Sequence, residues 1–169
     1  MKFADVSFAL VLAASLAGAA LAQSDGAEVK VEGLRADPTQ PVEVTSETLT
    51  VDQTGGTAVF QGNVVVIQGD MKMTAPEVTV HYDKKDQSTI ERITATGGVT
   101  LVSPDSAAEA RDAVYTIETG VVVMTGAVLL NQGPSTMSGE KLTVDLDDGT
   151  GRMEGGVKTV LMPKGKKKE

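Results

Sequence analysis

The stretch FQGNV at residues 60–64 decides the fold, because its order of apolar residue, polar residue, glycine and valine recurs along the chain. The glycine of this cell is Gly62, and similar cells surround Gly97, Gly126 and Gly155, at spacings of 35, 29 and 29 residues. Repetition of one short cell indicates stacked copies of a single supersecondary unit, each burying the apolar face of its neighbour.

The apolar positions that recur in every repeat lie an even number of positions from its glycine, although residues 64–67, 121–123 and 128–130 are apolar on both faces. Successive side chains of a strand point to opposite faces, so these residues share one face, and polar residues such as Gln61, Thr79 and Asp145 occupy the other. Such a face is either an ordinary hydrophobic core or an adaptable lining for alkyl chains. The residues predicted to point inward are Phe60, Val64, Val66, Met73, Val78, Val80, Tyr82, Val99, Leu101, Tyr115, Ile117, Met124, Val128, Leu130, Met137, Leu142, Val144, Leu146 and Met153.

The chain between Val42 and Met162 is predicted to be all β. Val and Thr are abundant there, turn residues punctuate the pattern, and no long stretch shows a capped helical period. We expect one domain at residues 41–163, preceded by a flexible segment at 23–40 and followed by a basic tail at 164–169.

Residues 1–22 are predicted to be a cleaved signal peptide. Lys2 precedes an apolar run, and Ala20-Leu21-Ala22 is a small-x-small cleavage site. An uncleaved membrane anchor is the alternative interpretation. No later segment approaches the roughly 20 apolar residues of a spanning helix. The mature chain is therefore expected to be exported and soluble.

The composition argues against several classes of function. A net charge of −8 disfavours nucleic-acid binding, which needs a basic face. Thiol chemistry is excluded because the chain has no cysteine, and His81 is its only histidine, on the polar face of a strand. Asp145, Asp147 and Asp148 lack the length and terminal glutamate of a calcium loop. We expect no enzyme activity, no cofactor and no metal site.

Several blocks resemble the OstA-like family of periplasmic lipopolysaccharide-transport proteins. They are residues 41–49, the run 58–69 followed by 73–78, the repeat of that block beginning at 124–128, and the closing strand 157–163. The resemblance implies an antiparallel open jelly roll, or "β-taco", of two joined sheets with an apolar interior. The basic tail departs from the family pattern.

The resemblance also implies a function. Members of this family bind lipopolysaccharide acyl chains in an apolar groove and stack head to tail between the inner and outer membranes. The implied partners are lipopolysaccharide, further copies of the chain, an inner-membrane bitopic OstA-like protein and the N-terminal domain of an outer-membrane translocon. The edge strands predicted to mediate this stacking contain Val42, Val44, Val157, Val160 and Leu161.

The sequence is also compatible with an alternative function, and it offers several candidate contacts for lipid phosphates. A structural β-solenoid or polymer subunit of the cell envelope, without lipid cargo, is the alternative function. Lys84, Lys85, Arg92, Arg111 and the lysines of the tail are candidate contacts for lipid phosphates, although lysine clusters of this kind usually belong to solvated loops.

Overall fold

The computed structural model describes residues 26–31, 34 and 39–162. The predicted signal peptide at 1–22 and the predicted basic tail at 164–169 lie outside these described residues. Within them no helix has the length and hydropathy needed to cross a membrane.

Every regular element of the described chain is a β-strand, which confirms the predicted all-β class. The strands form one antiparallel sheet in the order β1-β10-β9-β8-β7-β6-β5-β4-β2, with β3 also paired to β4 and β11 also paired to β9. The strands are β1 (Gly26–Lys30), β2 (Glu43–Thr45), β3 (Thr48–Asp52), β4 (Thr57–Gln68), β5 (Met71–Tyr82), β6 (Ile90–Ser103), β7 (Ser106–Thr116), β8 (Val121–Gln132), β9 (Ser135–Asp145), β10 (Thr150–Glu154) and β11 (Lys158–Val160).

A line of register shifts crosses the middle of the long strands. Pairing breaks between Gln61 and Val64 where β4 meets β5, and equivalent breaks occur in the next four strand pairs. The recurring glycines lie on this line: Gly62 has φ +83° and Gly126 has φ +85°. Bulges bend strands and interrupt their pairing. The repeat seen in the sequence therefore marks the line along which the sheet folds.

The fold line divides the sheet into two walls, which correspond to the two joined sheets that we predict. Wall 1 contains β3, β10, β1 and the strand segments 57–61, 77–82, 90–96, 112–116, 121–125 and 141–145. Wall 2 contains β2, β11 and the strand segments 64–68, 71–75, 99–103, 106–110, 128–132 and 135–139.

The two walls cover each other. Their inward residues form a single buried hydrophobic cluster, and the described chain has no helix that could cover that face instead. The margin opposite the fold line, where the turns of both walls lie, is called the lip below. A sheet folded in this way encloses one long interior, which is closed along the fold line and bordered by the lip on the opposite side.

Within residues 23–40, which we predict to be a flexible segment, the described residues include a strand. Residues 26–30 form β1, which pairs with β10 and places Ala27 opposite Met153. The backbone N–H of Val31 donates to the carbonyl of Gly149 at 2.9 Å, and the side chains of Val31 and Leu34 are buried. The sequence signal for this strand is the alternation of apolar residues at 27, 29 and 31, which is typical of a strand with one face toward a core.

Replacing Gly126 by alanine is expected to destabilise the fold by about 1–3 kcal/mol. Its φ of +85° is unfavourable for any residue with a Cβ, and that Cβ would lie 2.9 Å from the Cβ of Arg111. Urea unfolding measures the loss. Gly133→Ala is the matched control, because Gly133 also has a positive φ but its added Cβ would meet nothing within 4 Å. Equal losses in both variants would contradict a special role for the fold line.

Candidate functional site

The inward face of the two walls is the candidate site, and it gathers the residues predicted for it. Each of them belongs to the hydrophobic cluster or packs against it. Phe60, Tyr82 and Ile117 are half-buried, and the rest are buried. The even-offset rule therefore identifies one contiguous surface, which we call the trough.

Sequence reasoning missed part of this surface. Ala58, Ile93 and Val122 each lie four residues before a repeat glycine, an offset that the alternation rule includes. Their position in the repeat could have identified them. The sequence pattern also missed Ala75, Ala108 and Ala110. Ala95 and Ala113 occupy apolar positions of the repeat and, like Met71, are buried.

The middle of the trough is closed rather than open along its length. Val64, Val99, Leu130, Leu142 and many of their neighbours have almost no exposed surface. Two facing apolar walls pack on each other because this removes both from water. The inward side chains in the middle of the trough are therefore shielded from water.

One end of the trough is accessible. Leu49 and Val51 on β3 pair with Phe60 and Ala58, so they continue the inward face of wall 1. They nevertheless remain 54% and 59% exposed. Together with Tyr82 they line a cleft of about 300 Å³. Leu49 and Val51 repeat an apolar slot of the sequence cell, yet they were absent from the predicted inward set.

The predicted edge residues lie at the two ends of wall 2. β2 is one end, where Val42 and Val44 pack partly against the core. β11 is the other end, where Val157 is half-buried while Val160 and Leu161 are 50% and 71% exposed. Both ends therefore present backbone edges bordered by apolar side chains, which is the arrangement required for pairing with another strand.

The interior is not entirely apolar, in contrast to our expectation. Gln68, Ser103 and Ser106 are buried at the lip of wall 2, where Ser103 pairs with Ser106 across a turn. The hydroxyl of Tyr115, on wall 1, donates a 3.0 Å hydrogen bond to Oε1 of Gln68. Burial and, to a lesser degree, the negative charge of Asp147 raise the pKa of the Tyr115 phenol, so the hydroxyl stays protonated.

The candidate phosphate contacts do not form one cluster. Arg111 lies on the fold line and forms an ion pair with Asp112 at 2.8 Å. Lys84 and Lys85 are exposed in the turn between β5 and β6, on the lip of wall 1. Arg92 lies on the outer face of wall 1, and its buried Nε has no hydrogen-bond partner among the described residues. Among the candidates that the structure describes, the lysine pair is therefore the one that borders the lip.

No arrangement for catalysis is seen in the described part of the chain. The nearest hydroxyl partner of His81 is Thr94, whose Oγ1 lies 3.3 Å from the ring Nε2. The carboxylate of Asp145 accepts from the backbone N–H groups of Asp147 and Asp148, which makes it a turn cap. Across residues 26–31, 34 and 39–162, no three acidic or imidazole side chains are grouped as metal ligands would be.

Stability is expected to fall as the pH decreases below about 6.5. Burial and the positive charge of Arg92 lower the pKa of His81, with Glu91 opposing them, so the unfolded chain takes up this proton first. His81→Gln removes this titration and should flatten the pH dependence of the unfolding free energy just below pH 6.5, as measured by urea unfolding. An unchanged slope in the variant would show that other groups cause the effect.

Comparison with known proteins adds to this geometry. Residues 43–150 match the family described as "LptA/(LptD N-terminal domain) LPS transport protein". An uncharacterized protein of Rhizobium meliloti is 29% identical over 92% of this chain and 88% of its own length. The lipopolysaccharide export system protein LptA of Escherichia coli is 30% identical over 85% of this chain and 77% of its own.

A solved structure has the same fold. It is the crystal structure of LptH from Pseudomonas aeruginosa, described as the LptA homologous periplasmic component of the lipopolysaccharide transport device. The TM-score is 0.68 at 25% identity, with 76% of this chain and 99% of that chain covered. This confirms the predicted jelly-roll architecture.

Proposed function

Since the chain belongs to the LptA/LptD N-terminal domain family of LPS transport proteins, we propose that it carries lipopolysaccharide across the periplasm by holding the acyl chains in its trough. The related LptH is named as a periplasmic component of such a device, and LptA as an export protein. The predicted signal peptide at residues 1–22 supports the same compartment.

The observation that carries the proposal is the apolar face that continues from the buried interior to the exposed β3 end. Exposing one methylene to water costs about 0.8 kcal/mol, so a lipid with several acyl chains does not cross an aqueous space unaided. A trough with aliphatic walls removes that cost while the sugars stay in water. The side chains of Val, Leu and Met form no directional hydrogen bonds, which suits acyl chains because these have no donors or acceptors along their length.

Wall separation is the step that loading requires. The walls lose contact with each other when an acyl chain enters, but each wall then contacts the chain, so apolar burial is exchanged rather than lost. Leu49 and Val51 provide the place where a chain tip meets exposed apolar surface first. Loading therefore begins at the β3 end in this proposal and proceeds by parting the walls from there.

Head-to-tail stacking would make the trough continuous between molecules. The β2 and β3 edges lie at one end, and β11 lies at the other end of wall 2. An edge strand of one copy can pair with the opposite edge of the next, which aligns the two interiors. An inner-membrane OstA-like protein and the N-terminal domain of an outer-membrane translocon would take the same edges at the ends of the stack.

A binding competition tests the lipid assignment. The purified protein is incubated with labelled lipopolysaccharide and challenged with either the acylated lipid portion or the deacylated saccharide. The acylated portion is expected to displace the label, whereas the saccharide is not. Displacement by the saccharide would overturn the acyl-chain mechanism. Absence of any binding would favour a solid structural subunit, which the closed middle of the trough would also suit.

A further inference from the structure

One side-chain hydrogen bond crosses the trough from wall to wall. Tyr115 in the second half of β7 donates to Oε1 of Gln68 at the end of β4, 47 residues away. Nε2 of Gln68 donates in turn to the carbonyl of Gln40 at 3.2 Å, which fixes the orientation of the amide. Both side chains are buried. The pair is thus a neutral polar contact held between two apolar walls.

The pair lies close to the lip. Gln68 is the last residue of β4, directly before the turn to β5, and it pairs with Met71 at that turn. Ser103, Ser106, Gln132 and Ser135 continue a polar row along the same lip in neighbouring strands. Apolar residues fill the trough on the inner side of this row. An amphiphile seated in the trough would place the junction between its chains and its head group at this level.

Entry of a chain separates Tyr115 from Gln68. A buried hydroxyl donor on wall 1 and a buried amide acceptor on wall 2 then need new partners, since an unpaired buried group costs about 1–3 kcal/mol. A secondary amide satisfies both at once. Its carbonyl and its N–H point to opposite sides of a planar trans unit, so it accepts from one wall and donates to the other. An ester has the acceptor but no donor.

We propose that Tyr115 and Gln68 form a binding site for the secondary amide that joins an acyl chain to its head group. The Tyr115 hydroxyl donates to the carbonyl oxygen of the ligand, and Oε1 of Gln68 accepts from its N–H. This inference rests on the proposed function, because it requires an acyl chain between the walls. It gives the trough a selectivity that aliphatic walls alone do not provide.

The test uses two ligands of equal chain length and one reporter. N-methyldodecanamide and methyl dodecanoate compete for the purified protein against N-phenyl-1-naphthylamine, a carbonyl-free fluorophore that brightens in apolar surroundings. The amide is expected to bind about three- to tenfold more tightly than the ester, which corresponds to one additional hydrogen bond. The amide-to-ester ratio compares two ligands in the same variant. Any change in the free energy of separating the walls therefore affects both ligands equally and cancels.

The variants separate the two hydrogen bonds. Gln68→Met is expected to reduce the amide-to-ester preference to about one, because only the amide uses that acceptor. Tyr115→Phe should weaken both carbonyl ligands relative to the fluorophore. Thr79→Val is the matched control, since it also removes one hydroxyl from wall 1 but on the half-buried outer face, and neither ratio should change. Should a single variant fold poorly, the double variant Gln68→Met/Tyr115→Phe removes the donor and the acceptor of the wall-to-wall bond together. The exposed Gln40 can accept from water instead of Gln68, and the double variant should show neither preference.

The outcomes distinguish failure of the amide site from failure of the proposed lipid binding. A wild-type amide-to-ester ratio of one, or a ratio that Gln68→Met leaves unchanged, would overturn the amide site while the trough survives. If neither the fluorophore nor the alkyl ligands bind, the proposed function fails and the amide site fails with it.

Discussion

Val80→Asp is expected to destabilise the protein by roughly 3–5 kcal/mol, the cost of leaving a buried charge without a partner. Val80 is almost fully buried on wall 1, and it pairs with Ala58 and Ile93, which are themselves buried. The buried polar residues of the described chain are Gln68, Ser103 and Ser106, so none of its buried side chains is a cation. The variant should lose lipopolysaccharide binding together with cooperative unfolding, as measured by urea titration and by the binding competition.

The adjacent residue provides the control for this prediction. Thr79 is half-buried on the outer face of the same strand, so Thr79→Asp adds the same charge where water can reach it. Its stability should change by less than about 1 kcal/mol, and its lipid binding should be retained. If a folded Val80→Asp protein still bound lipid normally, the assignment of the inward face would be wrong.

Deletion of residues 157–169 is expected to abolish end-to-end assembly, which is the second large effect. The deletion removes β11 and the exposed Val160, Leu161 and Met162, and with them the edge that the next copy would pair with. Sedimentation velocity at increasing concentration measures the change. The wild-type sedimentation coefficient should rise with concentration, and that of the truncated chain should stay at the value of a monomer.

A substitution that keeps the strand sharpens this result. Val160→Asp combined with Leu161→Asp should weaken association by about 30-fold or more, because two apolar contacts are replaced by charges. Val102→Asp is the control, since Val102 is also an exposed apolar residue but lies within wall 2, away from both ends. Association that is equally strong in all three proteins would place the contact elsewhere.

Much of the fold could be predicted from the sequence because its signals are local. The alternation of apolar and polar residues reports the face of each side chain directly, which is why residues as far apart as Phe60 and Met153 were assigned to one interior. The recurring glycines were recognised as a repeat. Their role as the fold line was not, because a register shift depends on the partner strand.

The remaining features depend on contacts between distant segments. Whether β1 pairs with β10 is decided by a free edge more than a hundred residues later. The hydrogen bond between Tyr115 and Gln68 joins opposite walls, and nothing near Gln68 in the sequence indicates that it is buried. The exposure of Leu49 on the terminal strand of wall 1 is likewise not evident from the residues around it. Local sequence patterns indicate which face of a strand a side chain occupies and where turns lie. They do not indicate which distant segments pair or pack together.

In the proposed mechanism the acyl chains lie between the two walls. A photo-crosslinking comparison in cells is the most direct test of this position. A photoreactive residue is placed at Val80 or Val144, which point inward, and at the neighbouring Thr79 or Thr143, which are half-buried on the outer face. The account predicts lipopolysaccharide adducts from the inward pair and few from the outward pair. Adducts at neither pair, or equal yields at both, would contradict it.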